Sequence, residues 1–433
     1  MTARTKRRIA FWFVYTALWW DSLKYIELMG PMLIVTVLLL LWKLSQKSRK
    51  VKHANWYRHL WPQQMSANGL RWSVSQMVKP PFVRRHGLIM PSRKPLPAPL
   101  LKKVSTGPWS DTLTVRMLPG QTVQDWEVRA EALAHGWSAR DVRVHYVDPG
   151  HVALEVFHGD SLQEVVRAFA VGQSDIDLYA VPIGVREDGY AWTLQLQEWH
   201  WLIAGVTGAG KSSVIWSLIR ALCPAIHAGI VEVWAIDPKG GMELRPGRDL
   251  FAHFVDDSYE RMVNMLEGAV SEMRKRADRL AGKTRKHQAT REEPLMVVII
   301  DELANLTAYQ PDVKLRKRVN DAVSLLLTQG RAVGVCVICA LQDPRKDVVW
   351  FRNLFPGKIG LRLDEPEQVE MVLGEGARRR GARCDQIPES LPGVGFVKVD
   401  GLREPIRVRA SWVTDQDIDD MVRTFKIDRA VVA

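Results

Sequence analysis

Trp201-Leu-Ile-Ala-Gly205-Val-Thr-Gly-Ala-Gly210-Lys211-Ser212-Ser213 is an apolar run, a glycine-rich turn and the start of a helix-forming segment that continues to Cys223. The turn fits GxxxxGK[ST], and the strand before it and helix after it are the context that pattern needs. Its glycines let successive backbone N–H groups face an anion at a helix N-terminus, where the helix dipole also favours negative charge. Gly205, Val206, Thr207, Gly208, Ala209, Gly210, Lys211, Ser212 and Ser213 are therefore expected to cradle the phosphates of ATP. Lys211 is expected on the β- and γ-phosphates and the Ser212 hydroxyl on Mg²⁺.

Downstream, 90 residues after Lys211, Leu295-Met-Val-Val-Ile-Ile runs into Asp301-Glu302. An unbroken apolar run of that length reads as a parallel strand buried on both faces. Its end presents two carboxylates, Asp301 to orient Mg²⁺ and Glu302 to polarise the attacking water. A third apolar run, Val333–Leu341, ends at Gln342. Strand carboxyl ends are where open α/β sheets bind ligands, so Gln342 is read as a γ-phosphate sensor. Arg331 begins that same run at the opposite edge, too far to serve its own subunit's nucleotide but placed to reach a neighbour's.

Outside these runs the charge is unevenly spread. The chain carries +12 formally, yet residues 43–110 hold 14 Lys and Arg and no acid, and residues 111–433 sum to −5. Basicity of that kind beside apolar segments is read as retention on the cytoplasmic side of a membrane rather than as a nucleic-acid footprint. Ile9–Trp20 and Met29–Trp42 are uncharged apolar runs flanked by Arg4, Lys6, Arg7, Arg8 and by Lys43, Lys47, Arg49, Lys50. This predicts a two-span hairpin with both ends inside, with a single span over 25–44 as the alternative. Six prolines between residues 80 and 99 predict an extended spacer.

From residue 107 the pattern predicts strands over Thr112–Leu118, Val142–Val147 and Val152–Phe157, and helices over Val123–Leu133 and Leu162–Phe169. In the first helix, Val123, Trp126, Ala130 and Leu133 recur at helical spacing and are expected to face a core. Four cysteines are too few for a disulfide framework. The lone CxxC, Cys336 and Cys339, lies inside an expected buried strand and has no second pair to complete a zinc site.

With these pieces in place the chain resembles the FtsK/SpoIIIE family of DNA translocases. Val181-Pro-Ile-Gly184, His200-Trp-Leu-Ile-Ala-Gly205, Ile236-Asp237-Pro238-Lys239-Gly240-Gly241-Met242-Glu243-Leu244, Asp301-Glu302-Leu303-Ala304, Gly330-Arg331-Ala332 and Ala340-Leu341-Gln342 look like its blocks in its order. The resemblance covers roughly residues 107–415. It implies an α/β, RecA-like P-loop motor that forms a homo-oligomeric, hexameric ring around double-stranded DNA. ATP and Mg²⁺ would be its cofactors, Lys211, Asp301, Glu302 and Gln342 its catalytic set with Arg331 acting in trans, and Ser212 and Asp301 its metal ligands. The apolar N-terminus and the segment Gly374–Gly395 look more like actinobacterial conjugative transfer proteins of the TraB or TraSA kind. With about twenty residues following Trp412, no C-terminal winged-helix domain is expected.

The expected organisation is a membrane anchor over 1–44, a basic, Pro-rich cytoplasmic linker over 45–106, a small α+β domain over 107–180 and the motor over 181–433. The expected role is a motor at the cell membrane, facing the cytoplasm, that moves double-stranded DNA in conjugation with possible accessory proteins. A type VII-like protein secretion ATPase and a chromosome-segregation pump are the alternatives. The basic groups Arg274, Lys275, Arg276, Arg279, Lys283, Arg285, Lys286 and Arg378, Arg379, Arg380, Arg383 are read as solvated faces.

Overall fold

A computed structural model describes residues 52–65, 70, 82–85, 88–91, 98–107, 109–169, 176–345, 351–401 and 404–427, together with 35–37 and 39. The expected membrane anchor over 1–44 otherwise lies outside these residues. Among the described residues no helix is long and apolar enough to cross a membrane. The chain divides into two compact units, Met1–Trp137 with Tyr146–Val156, and Ser138–His145 with Phe157–Ala433.

The first unit begins with helix α1 (residues 52–65) and an antiparallel pair, β1 (Phe82–Arg85) and β2 (Leu88–Pro91). Strands β3 (Leu100–Thr106) and β4 (Ser110–Arg116), helices α2 (Val123–Glu127) and α3 (Ala130–Gly136), and strands β5 (Asp141–Asp148) and β6 (His151–Phe157) follow, with Asp141–His145 of β5 and Phe157 of β6 counted to the second unit. Four of the strands form a sheet in the order β3-β4-β6-β5. Within the stretch expected to be a linker over 45–106, residues 52–65 form a helix that contributes to a core. Tyr57, Trp61 and Met65 recur every fourth residue, so one face of α1 is apolar, and all three are buried. Trp61 stacks between Trp126 and Trp137 with ring centroids 6.2 Å away in each case, and its indole N–H donates to the Pro99 carbonyl at 2.8 Å. Tyr57 donates its hydroxyl to the buried Asp111 carboxylate. Aromatic spacing, hidden beneath the charge count, makes this stretch part of a core.

The expected helix over Val123–Leu133 is two helices. The first is closed by a Thr122–Asp125 capping box, and the chain breaks at Val128–Arg129. Trp126, Ala130 and Leu133 are buried as expected, with Val123 half-buried.

The second unit is built on a sheet whose strands are β7 (Val181–Arg186), β8 (Ala191–Leu194), β9 (Trp201–Ala204), β10 (Val231–Ile236), β11 (His253–Val255), β12 (Leu295–Ile300), β13 (Val335–Leu341), β14 (Gly357–Gly360), β15 (Val394–Val399) and β16 (Ile406–Ala410). Their order is β11-β10-β12-β13-β9-β14-β15-β16-β7-β8. Pairing is parallel from β11 through β14 and antiparallel from there to β8. The helices are α4 (Lys211–His227), α5 (Tyr259–Leu280), α6 (Leu303–Leu306), α7 (Val313–Gln329), α8 (Pro366–Leu373) and α9 (Asp415–Phe425). Two cores cover the two faces. Buried residues of α5, α7 and α8 share one with Leu202 and Ala204, and those of α4 and α9 share the other with Trp201 and Ile203. Alternate residues of β9 thus feed opposite cores, as the period of two in a strand requires.

The same period separates the CxxC pair. Cys336 lies in one core and Cys339 in the other, so they cannot share a metal. All four cysteines are buried, and burial pushes their thiols up, Cys223 to about 12 and the rest further.

The helix expected over Leu162–Phe169 does not form. Its carbonyls are taken by distant partners: Arg409 donates to the Leu162 and Gln163 oxygens at 2.8 Å each, and Trp412 N–H donates to the Val166 oxygen at 2.8 Å. Asp160 accepts a two-pronged pair of hydrogen bonds from Arg407, which anchors the segment against β16. The tertiary hydrogen bonds outweigh a local propensity worth only tenths of a kcal/mol per residue, roughly.

His200, just before β9, is buried and its Nδ1 accepts the Val337 N–H at 3.0 Å. Burial, aided by the charge of Arg331, pushes the imidazole down to about 3. The unfolded chain takes up this proton near pH ~6.5, so the stability is fully present above that pH and drains away as pH falls toward the folded value. Denaturant midpoints measured down the acid side should show this loss, and His200→Gln should flatten it.

Candidate nucleotide-binding site

The register of the parallel strands assembles the site. Ile236 pairs with Ile300, Ile300 with Cys339, and Leu341 with Ala204. The residues that follow, Asp237, Asp301, Gln342 and Gly205, therefore emerge together at the carboxyl edge of four neighbouring strands, β10, β12, β13 and β9. Connections leave the sheet here because each strand is followed by a turn and a helix, which is the arrangement that leaves ligand-binding crevices at this edge.

Gly205 N–H donates to the Leu341 oxygen and Val206 N–H to the Arg362 oxygen, so the turn is seated on β13 and on the end of β14. Gly208 (φ +74°) and Gly210 (φ +94°) take the left-handed conformation that glycine alone adopts without strain. A Cβ on Gly210 would lie 2.2 Å from the Gly393 nitrogen, whose N–H donates to the Ala209 oxygen. Val206, Thr207 and Gly208 lie along the rim, Ala209 is buried, and Ser212 and Ser213 are half-buried in the first turn of α4.

Lys211 is buried and donates to the Gly205 and Val206 oxygens at 2.6 and 3.2 Å. Burial pushes its ammonium down to about 8, Lys239 adds repulsion, and Glu302 is the main opposing charge. Asp301 and Glu302 are 2% and 3% exposed, and burial pushes both carboxyls up against the opposing charge of Lys239. Gln342 joins the two halves of the site: its N–H donates to Glu302 Oε1 at 3.3 Å, and its side-chain oxygen accepts the Thr207 hydroxyl at 3.2 Å. Arg331 stays apart. It is exposed in a 3₁₀ turn ahead of β13, which starts at Val335 rather than at Val333, and the seven-residue strand holds it roughly 20 Å from the site.

Four further residues enter that sequence reading did not assign. Asp237, fully buried, accepts the backbone N–H groups of Lys239, Glu243 and Leu244 at 3.0, 3.0 and 3.1 Å. Lys239 Nζ lies 3.2 Å from Asp301 Oδ2 and 3.6 Å from Glu302 Oε2. Glu243 accepts the Ser212 hydroxyl at 2.7 Å. Arg362 donates to the Thr207 oxygen at 3.1 Å and pairs with Glu389. The Ser212 hydroxyl and the carboxylates of Asp301 and Glu302 form a hard-oxygen set that suits Mg²⁺.

Residues 164–290 match the family model described as the FtsK/SpoIIIE family. The chain carries an FtsK/SpoIIIE domain. Residues 49–158 match a second model, the actinomycete conjugal transfer protein N-terminal domain, which takes in most of the stretch expected to be a linker. Known relatives of the FtsK/SpoIIIE domain include DNA translocase SftA of Bacillus subtilis, 27% identical over 343 residues, which covers 74% of this chain and 34% of that protein. DNA translocase FtsK of Streptococcus pyogenes is 28% identical over 353 residues, covering 75% and 42%. The chain thus spans less than half the length of these relatives. Among solved structures, the pCW3 conjugation coupling protein TcpA, in a monomer form with ATPgS, shares the fold. Its TM-score is 0.53 at 19% identity, covering 76% of this chain and 93% of that one.

Proposed function

We propose that this chain is a membrane-anchored motor that hydrolyses ATP to move double-stranded DNA, and that it serves conjugative transfer. The observation that carries the reading is the convergence of the Gly205–Ser212 turn, Asp301, Glu302 and Gln342 at one sheet edge, in a chain whose N-terminal region matches a conjugal transfer domain.

In this reading the loop amides and Lys211 hold the β- and γ-phosphates, exchanging the lysine's carbonyl partners for phosphate oxygens. Mg²⁺, held through the Ser212 hydroxyl and the Asp301 carboxylate, supplies charge neutralisation at the phosphates when bound. Glu302, whose raised pKa suits proton acceptance, orients the attacking water. Gln342 ties Glu302 to Thr207 on the phosphate loop, so the water-orienting group and the cradle report to one another. Arg331 acts on the nucleotide of the neighbouring copy in a ring, a homo-oligomer of six, with the motor on the cytoplasmic face of the cell membrane.

The test is ATP turnover by the full-length chain in detergent with and without duplex DNA at two salt concentrations. Duplex DNA should raise turnover severalfold at low salt, and the stimulation should fall steeply at higher salt as phosphate contacts are screened. Turnover indifferent to DNA would sink the translocase reading and favour a protein-secretion motor.

A further inference from the structure

Both groups expected to hold the metal are already engaged by side chains from one short loop. Lys239 sits between the Asp301 and Glu302 carboxylates, while Glu243, four residues on, holds the Ser212 hydroxyl. The spacing is built. Asp237 gathers the backbone N–H groups of Lys239, Glu243 and Leu244, and the chain reverses between the two side chains through Gly240 (φ +73°) and Gly241 (φ +78°). A Cβ on Gly241 would lie 2.2 Å from Asp256 Oδ2, in the Arg245–Asp256 ion pair, so the reversal is packed as well as bent.

We infer that the Asp237–Leu244 loop is an internal competitor of the metal–nucleotide complex, a regulatory clamp on the site that rests on the ATPase reading above. The Lys239 ammonium and a divalent cation claim the same two buried carboxylates, and like charges in such close quarters exclude one another. The Ser212 hydroxyl donates its proton to Glu243 in a hydrogen bond and keeps its oxygen lone pairs free for a cation, so the loop's competing claim on the metal site is made by Lys239. Binding of the metal–nucleotide complex therefore expels Lys239, and the Asp237 carboxylate, which ties Lys239, Glu243 and Leu244 together through their backbone N–H groups, makes that a movement of the whole loop. The loop is thereby coupled to nucleotide occupancy, and whatever holds it down inhibits the motor.

The clamp is tested on the full-length chain with two probes. With Mn²⁺ alone, followed by the electron paramagnetic resonance signal of the free ion, Lys239→Met should bind about tenfold more tightly than wild type because a half-buried competing charge is gone. Equal or weaker Mn²⁺ binding in Lys239→Met overturns the competition. With a fluorescent ADP analogue, Lys239→Met should bind severalfold more tightly than wild type in the presence of Mg²⁺, and the gain should vanish in EDTA. A Mg²⁺-dependent loss of affinity in Lys239→Met, or a gain that persisted undiminished in EDTA, would overturn the clamp. If wild type bound no nucleotide analogue at all, the ATPase reading would fail, while the Mn²⁺ arm would still decide whether Lys239 competes.

Discussion

Arg331→Ala should lower ATP turnover by ~10³-fold or more, the scale of an arginine supplied in trans to a phosphoryl-transfer site. Nucleotide affinity should be almost untouched. The reason is distance: the residue stands at the amino edge of the sheet while Lys211, Asp301, Glu302 and Gln342 stand at the carboxyl edge, with the length of β13 between them. Arg331 is exposed and forms no ion pair among the described residues, so its loss should leave the thermal midpoint nearly unchanged. Mixing supplies the decisive comparison. A subunit lacking Arg331 keeps an intact phosphate loop, and one lacking only Lys211 keeps its arginine, so a mixed ring contains junctions with every group present. Turnover in the mixture above that of either variant alone is the expected result; additive inactivity would remove Arg331 from the mechanism.

Glu302→Gln should lower turnover by about 10²–10⁴-fold, the range for loss of a positioned proton acceptor. Nucleotide binding should persist, since the amide keeps the length of the side chain and its oxygen can still accept the Gln342 N–H. Lys211→Ala should instead lose both turnover and affinity, because the side chain it removes reaches the centre of the phosphate loop. Stability separates a chemical loss from a structural one. A buried carboxyl whose pKa is raised in the fold costs stability while ionised, so the neutral amide should leave the melting temperature unchanged or higher. Wild-type turnover in either variant, or unfolding of Glu302→Gln, would defeat the assignment.

Much of the second unit could be read directly. A six-residue apolar run ending in two acids admits few structures, and once it is a parallel strand its end must lie at the ligand edge. The phosphate loop is legible for the same reason, since glycines at 208 and 210 leave side chains out where backbone must approach an anion. The contributions of Lys239 and Glu243 could not be read from spacing. They depend on β10 lying beside β12, a fact of strand order that no local pattern encodes. Arg362 was hidden by β14, whose Gly-Lys-Ile-Gly sequence has no apolar run, and the segment after Leu162 was misread because its carbonyl partners lie almost 250 residues away. In the first unit, fourteen positive charges over residues 43–110 mask three aromatic and apolar side chains at every fourth position.

The seclusion of the four cysteine thiols has a practical use. A thiol reacts as its thiolate, and these side chains are both shut off from solvent and held in the protonated form. Maleimide dyes should pass over the native chain, so a single cysteine engineered at exposed Met242 would carry the whole signal. Fluorophore chemistry can then follow that loop through a turnover cycle against a silent background.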